Sequence, residues 1–156
     1  MINKTTILAL RTLIHMGWQS DNAIRSPRQM AELLGESPTY LAKVTRLLVK
    51  AGILRAEKGV RGGVYLSRRP GDITLLQIVE ACQGAIVGDY CRPDCDKRVI
   101  CSYHLAAEEL RVAIIGALGG WTLARLMERP SSSKVTQLSG MVCLMTGGQP
   151  IAAAMR

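Results

Sequence analysis

The chain has 156 residues, 48% of them apolar, with 20 Lys and Arg against 12 Asp and Glu for a formal net charge of +8. That length suffices for one good core or two small ones. Lys4 and Arg11 interrupt any signal-like apolar run, so a cytoplasmic protein is expected, in which five cysteines argue for metal ligation or redox chemistry rather than a disulfide framework.

The charge is not spread evenly. Residues 1–69 hold twelve Lys and Arg against four Asp and Glu, whereas residues 70–156 hold eight of each. A localised positive field is the electrostatic footprint of a polyanion partner. The uncharged stretch 135–155 is long enough to span a bilayer. Gln137, Ser139, Gly147, Gly148 and Pro150 interrupt it, so no membrane span is expected.

In chain order, Thr5 or Thr6 is expected to open a first helix, with Ile7, Leu10, Ile14 and Trp18 as its apolar stripe. Ser26-Pro27-Arg28-Gln29 has the form of a capping box and predicts a second helix that buries Met30, Leu33 and Leu34 and stops at Gly35. Ser37-Pro38 repeats the N-cap and first-turn proline. The third helix then buries Leu41, Val44 and Leu48 and ends at Gly52.

Two helices joined by the three-residue turn Gly35-Glu36-Ser37 make a helix-turn-helix, whose second helix leads with its N-terminal half into the major groove of DNA. Thr39, Lys43, Arg46 and Lys50 recur on the face opposite the leucines, and Pro38 and Tyr40 at the leading end join this DNA-binding set. Residues 53–57 and 63–66 read as short strands around the glycine-rich tip Lys58-Gly59-Val60-Arg61-Gly62. Such a hairpin, directly after a recognition helix, reads as the wing of a winged helix. Lys58 and Arg61 would then meet DNA, Arg61 in a narrow minor groove. No Walker-type Lys-Ser/Thr follows the glycines, which weakens a nucleotide-binding reading.

Beyond Arg68-Arg69-Pro70-Gly71, Asp72 or Thr74 can cap a helix through Leu75, Ile78, Val79 and Cys82 to Gly84, with Cys82 a small buried hydrophobe. A long helical pattern then runs from about Tyr103 to Glu128. It is apolar on more than one face, more than a small domain can bury, and Gly116 and Gly120 would admit a second backbone. A homodimer is expected. The expected architecture is mainly α with a small β wing: a winged helix-turn-helix over residues 1–69, a cysteine loop and dimerisation helix over 70–130, and a flexible tail over 131–156 that includes Cys143.

Between the last two helical patterns lie Cys91, Cys95 and Cys101, with His104 three positions on. Soft sulfur donors at this density beside an imidazole suit iron-sulfur clusters or zinc far better than magnesium or calcium. Arg92, Lys97 and Arg98 surround them with positive charge, which suits thiolate ligands. On ligand count alone zinc serves equally well, although structural zinc usually begins with a tight Cys-x-x-Cys knuckle and the gaps here are three and five residues. Asp89, Asp94 and Asp96 stand close enough in sequence to offer oxygen ligands.

Ser37-Pro38-Thr39-Tyr40-Leu41, Lys50-Ala51-Gly52-Ile53-Leu54, Arg61-Gly62-Gly63-Val64-Tyr65-Leu66, Asp72-Ile73-Thr74-Leu75 and the three cysteines follow in an order that resembles the Rrf2 family of bacterial regulators over about Met1 to Glu128. The resemblance implies a dimeric winged-helix repressor or activator whose cluster, 2Fe–2S in preference to 4Fe–4S, is held by Cys91, Cys95 and Cys101. His104 matches the histidine that IscR-like members carry, and is the expected fourth ligand. The gap between the first two cysteines is shorter than is usual in the family. Where some members carry an acidic ligand before Ala-Leu-Arg in the first helix, Ile7 and Leu8 stand here.

The expected function is therefore regulation of transcription at a double-stranded operator by a homodimer whose iron-sulfur cluster senses redox, iron or nitric oxide status. The alternatives are a winged-helix regulator with a zinc or thiol-disulfide switch, and a small redox or cluster-carrier protein. An enzyme is not expected: no nucleophile and base are paired, and His15 lies among core residues of the first helix.

Overall fold

The structure, a computed structural model, describes residues 2–18, 24–59, 62–86 and 101–128. Asn3 opens α1 (Lys4–Gly17), its side-chain oxygen accepting from the Thr6 backbone N–H at 2.9 Å and from Thr6 Oγ1 at 3.1 Å. The expected start at Thr5 or Thr6 is corrected, because the Asn3 carboxamide takes the cap and Thr6 becomes its donor. The buried set is also wider than one stripe: Thr6, Leu8, Ala9, Leu10, Thr12, Leu13, Ile14 and Met16 are all covered. α1 packs against four other helices, so it is enclosed rather than amphipathic. Trp18, expected on the apolar stripe, is 52% exposed at the helix end.

The capping box of α2 (Pro27–Leu34) forms as expected, with Gln29 N donating to Ser26 Oγ and Ser26 N to Gln29 Oε1. Gly35 follows in the left-handed region at φ 66°. Glu36 N donates to Ala31 O and Gly35 N to Glu32 O, a Schellman closure that only a residue without a Cβ enters freely. α2 buries Met30 and Ala31. Leu33, expected in the core, is 63% exposed on a side that no described element covers, while Leu34 packs partly against the core.

α3 (Pro38–Lys50) starts at Ser37 with Pro38 in its first turn, and the Ser37 side chain makes no capping bond. Leu41, Val44 and Leu48 are fully buried beneath it. A second Schellman closure ends it: Gly52 has φ 68°, Gly52 N donates to Val49 O and Ile53 N to Leu48 O. This aims the chain into β1 (Leu54–Glu57), paired antiparallel with β2 (Gly63–Leu66) in the register Leu54 with Leu66 and Glu57 with Gly63. The segment before α2 adds a third rung, with Arg25 and Val64 exchanging backbone bonds at 3.0 and 2.9 Å. Gly63 is required there, because a Cβ would collide with the Arg25 carbonyl.

A 3-10 turn (Pro70–Asp72) leads into α4 (Leu75–Gln83), opened by a Thr74–Gln77 capping box. Of the two expected caps, Thr74 is the one used. α5 (Ser102–Gly119) and α6 (Leu123–Met127) replace the single helix expected from Tyr103 to Glu128. The glycine pair Gly119-Gly120 lowers helix propensity. In addition, Trp121 O accepts from Leu75 N and Leu123 N donates to Ile73 O, both at 2.7 Å, so the break is held extended against the start of α4. The turn sends Leu123 fully into the core formed by Leu13, Met30, Leu41, Leu48, Ile73 and Ile78.

Candidate nucleic-acid interface and metal centre

Because Leu41, Val44 and Leu48 of α3 are fully buried, the opposite face is fixed outward. Pro38, Thr39, Lys43, Arg46 and Lys50 are all exposed, as is Lys58 at the hairpin tip, while Arg61 lies outside the described residues. Tyr40 differs from its neighbours. It is half-buried and its hydroxyl hydrogen-bonds Thr5 Oγ1 at 3.0 Å, tying the first turn of α3 to α1. A cleft between α3 and the wing is lined by Ala42, Arg46, Val49, Lys50, Glu57 and Gly63. Arg46 and Lys50 supply its cations and Glu57 its one carboxylate.

Two cations escaped the sequence reading. Arg55 stands exposed on β1 and Arg28 on α2, where it pairs with Glu32 at 3.5 Å. A strand of period 2 puts Arg55 outward, a signal that was available in the sequence.

At the other end of the molecule, Cys101 is the N-cap residue of α5 and His104 lies in its first turn. Cys101 is exposed and makes no capping bond with its side chain, so its sulfur is free of the helix. His104 is half-buried. A soft sulfur and an imidazole at one helix end are donors that fit a transition-metal or cluster site. Cys91 and Cys95 lie outside the described residues, and among the described residues no three His, Cys, Asp or Glu side chains converge on a metal site. One turn on, Glu108 accepts two bonds from Arg111 at 2.6 Å each. These bonds hold its carboxyl below the ordinary carboxylate range, with the Arg111 and His104 charges adding to the effect.

Cys82 lies apart from this group, half-buried against the core. Burial pushes its thiol above the usual range, and a hydrogen bond with the Thr6 side chain offsets part of that. Along α5 only Ala107 is buried, and Leu105, Leu110 and Val112 are 55 to 59% exposed. No helix among the described residues is long and apolar enough to cross a membrane.

A helix-turn-helix with a cationic leading helix and a two-stranded wing defines a DNA-binding transcription regulator. The chain matches the family model Rrf2, described as iron-dependent transcriptional regulator, over residues 2–129. It belongs to that family, and it is a regulator and not an enzyme. It is similar to protein aau3 of Rhizobium meliloti, 27% identical over 131 residues that cover 81% of this chain and 84% of that one. The HTH-type transcriptional regulator NsrR of Geobacillus kaustophilus is 26% identical over 131 residues, covering 81% and 89%. In fold it is similar to the structure of CymR, the global cysteine regulator of B. subtilis, with a TM-score of 0.65 and 23% identity over 81% of this chain and 95% of that one.

Proposed function

We propose that the protein is a homodimeric regulator whose operator affinity is set by an iron-sulfur cluster on Cys91, Cys95, Cys101 and His104. The observation that carries this reading is the placement of Cys101 at the N-cap and His104 in the first turn of α5, a helix whose Tyr103, Leu105, Leu110 and Val112 are all exposed. Similarity to NsrR and membership of an iron-dependent family support it. Bound there, a cluster supplies a redox-responsive and iron-responsive group.

The chain's own residues supply the rest. α5 leads through Gly119-Gly120 to α6, α6 packs on α1, and α1 is bonded to the turn before α3. A change at the foot of α5 therefore has a continuous packed route to the DNA-reading helix. α5, about 27 Å long at 1.5 Å per residue over its 18 residues, carries exposed apolar side chains on more than one side, and there a second copy would pack, placing two α3 helices on one duplex.

Zinc at the same residues is the second reading, favoured by a donor set of three sulfurs and one nitrogen. Both are tested on protein purified without air. Visible charge-transfer bands with matching iron and sulfide support the cluster. A colourless sample with stoichiometric zinc overturns it in favour of zinc.

A further inference from the structure

Arg11 is the one cation inside the enclosed part of α1. Its side chain is 12% exposed, with Nη1 donating to Glu36 Oε1 at 2.9 Å and Nη2 to Leu34 O at 2.8 Å. Leu34 ends α2, so its carbonyl is among those that the helix cannot satisfy, and the Schellman closure of Gly35 takes only the carbonyls of Ala31 and Glu32. Glu36 stands two residues before Pro38, the first residue of α3. The guanidinium thus ties the last residue of α2 to the middle residue of the turn that sets the angle between the two helices. From the same helix, Thr5 holds the first turn of α3 through Tyr40 at 3.0 Å.

The Arg11 Nε is buried with no hydrogen-bond partner. An apolar residue of similar shape would avoid that desolvation but leave the Leu34 carbonyl and the Glu36 carboxylate without these bonds, so Arg11 also contributes to stability. The planar fork is what lets one side chain reach a carbonyl and a carboxylate together.

We infer that Arg11 is a positioning residue for DNA recognition: through Leu34 O and Glu36 it fixes the tilt of α3, so that Lys43 and Arg46 meet their groove in register. It touches no DNA. This rests on the reading of α3 as the DNA-contacting helix. A side chain that only stabilises the fold would lower the melting temperature and leave the folded protein's discrimination intact. A positioning residue lowers the ratio of specific to non-specific affinity, because non-specific binding depends on phosphate charge and tolerates a shifted helix.

The test uses the full-length protein as purified. Wild type selects its preferred duplex from a random pool ~30 base pairs long, about three helical turns. Affinities of wild type, Arg11→Met and Glu36→Gln for that duplex and for a scrambled one are then measured well below each melting temperature. We expect Arg11→Met to lose about tenfold or more in specific affinity with non-specific affinity within about twofold, and Glu36→Gln to lose less in the same direction. If Arg11→Met does not fold, the folded Glu36→Gln variant and Arg11→Lys, which keeps one of the two bonds, carry the same comparison. An unchanged specificity ratio in the folded variants overturns the assignment. A wild-type protein that selects no sequence overturns the DNA reading itself, and the assignment with it.

Discussion

Arg46→Ala is the sharpest probe of the recognition face. Arg46 is exposed near the middle of α3, opposite the fully buried Val44 and Leu48. Its removal should therefore change folding stability by no more than about 0.5 kcal/mol. Two outcomes are distinguishable on DNA. If Arg46 reads a base edge, each copy loses about 1–3 kcal/mol of discrimination. A two-fold dimer then loses ~2–6 kcal/mol, roughly thirtyfold to twenty-five-thousandfold, on the selected duplex alone. If it neutralises a phosphate, the loss is uniform across sequences. The slope of log affinity against log salt then flattens by ~1.8 for the pair, so a fourfold rise in salt costs the variant about twelvefold less affinity than it costs wild type. Fluorescence anisotropy at several salt concentrations, on selected and scrambled duplexes, separates the two. Unchanged affinity and unchanged slope on both duplexes would refute the placement of α3 in the groove.

Replacing Cys91, Cys95 or Cys101 singly with alanine should remove the bound metal chromophore, read by absorbance and iron content, whereas Cys82→Ala should keep it. Full occupancy after loss of Cys95 would show that the three-residue gap is not a chelate. Leu105→Glu combined with Val112→Lys, exposed positions seven residues apart on one face of α5, should convert dimer to monomer in sedimentation while melting of the monomer core is retained. A dimer that persists would move the interface off this face. Cys82 should alkylate more slowly than Cys101 in metal-free protein, and more so at neutral than at alkaline pH: a raised thiol pKa leaves less thiolate until the pH climbs. Mass spectrometry after timed labelling reads this, and equal rates in the folded state would contradict the burial of Cys82.

Elements whose signals are local were legible in the sequence. The Ser26–Gln29 box, the prolines opening α2 and α3, the stops at Gly35 and Gly52 and the hairpin all fall where a few neighbouring residues decide the outcome. The Asn3 cap of α1 is likewise a local signal, whereas the other misreadings arose where distant partners decide. Leu33 has helical periodicity with Met30, yet no element lies above it. The break after Gly119 depends on Ile73 and Leu75, far earlier in the chain, capturing Leu123 and Trp121. Half of the candidate ligand set, Cys91 and Cys95, lies outside the described residues, and its grouping with Cys101 and His104 was legible only from spacing and family resemblance.

Arg11 shows why a functional residue can be invisible in sequence even when its context is read correctly. On α1 it stands between Leu10 and Thr12, both buried, where a cation first reads as an interruption of an apolar run. Its meaning comes from a carbonyl and a carboxylate more than 20 residues away, brought to it by the same turn that defines the DNA-binding motif. The helix that carries it also meets α6, where Gly17 has no Cβ to spare beside the Met127 side chain and Trp18 Nε1 donates to Met127 O at 3.0 Å. One helix thus touches the reading head along its length and the exit of α5 at its end. A displacement of α6 that moved α1 by part of an ångström would reach the Leu34 and Glu36 contacts without passing through any loop, because packed helices shift as bodies.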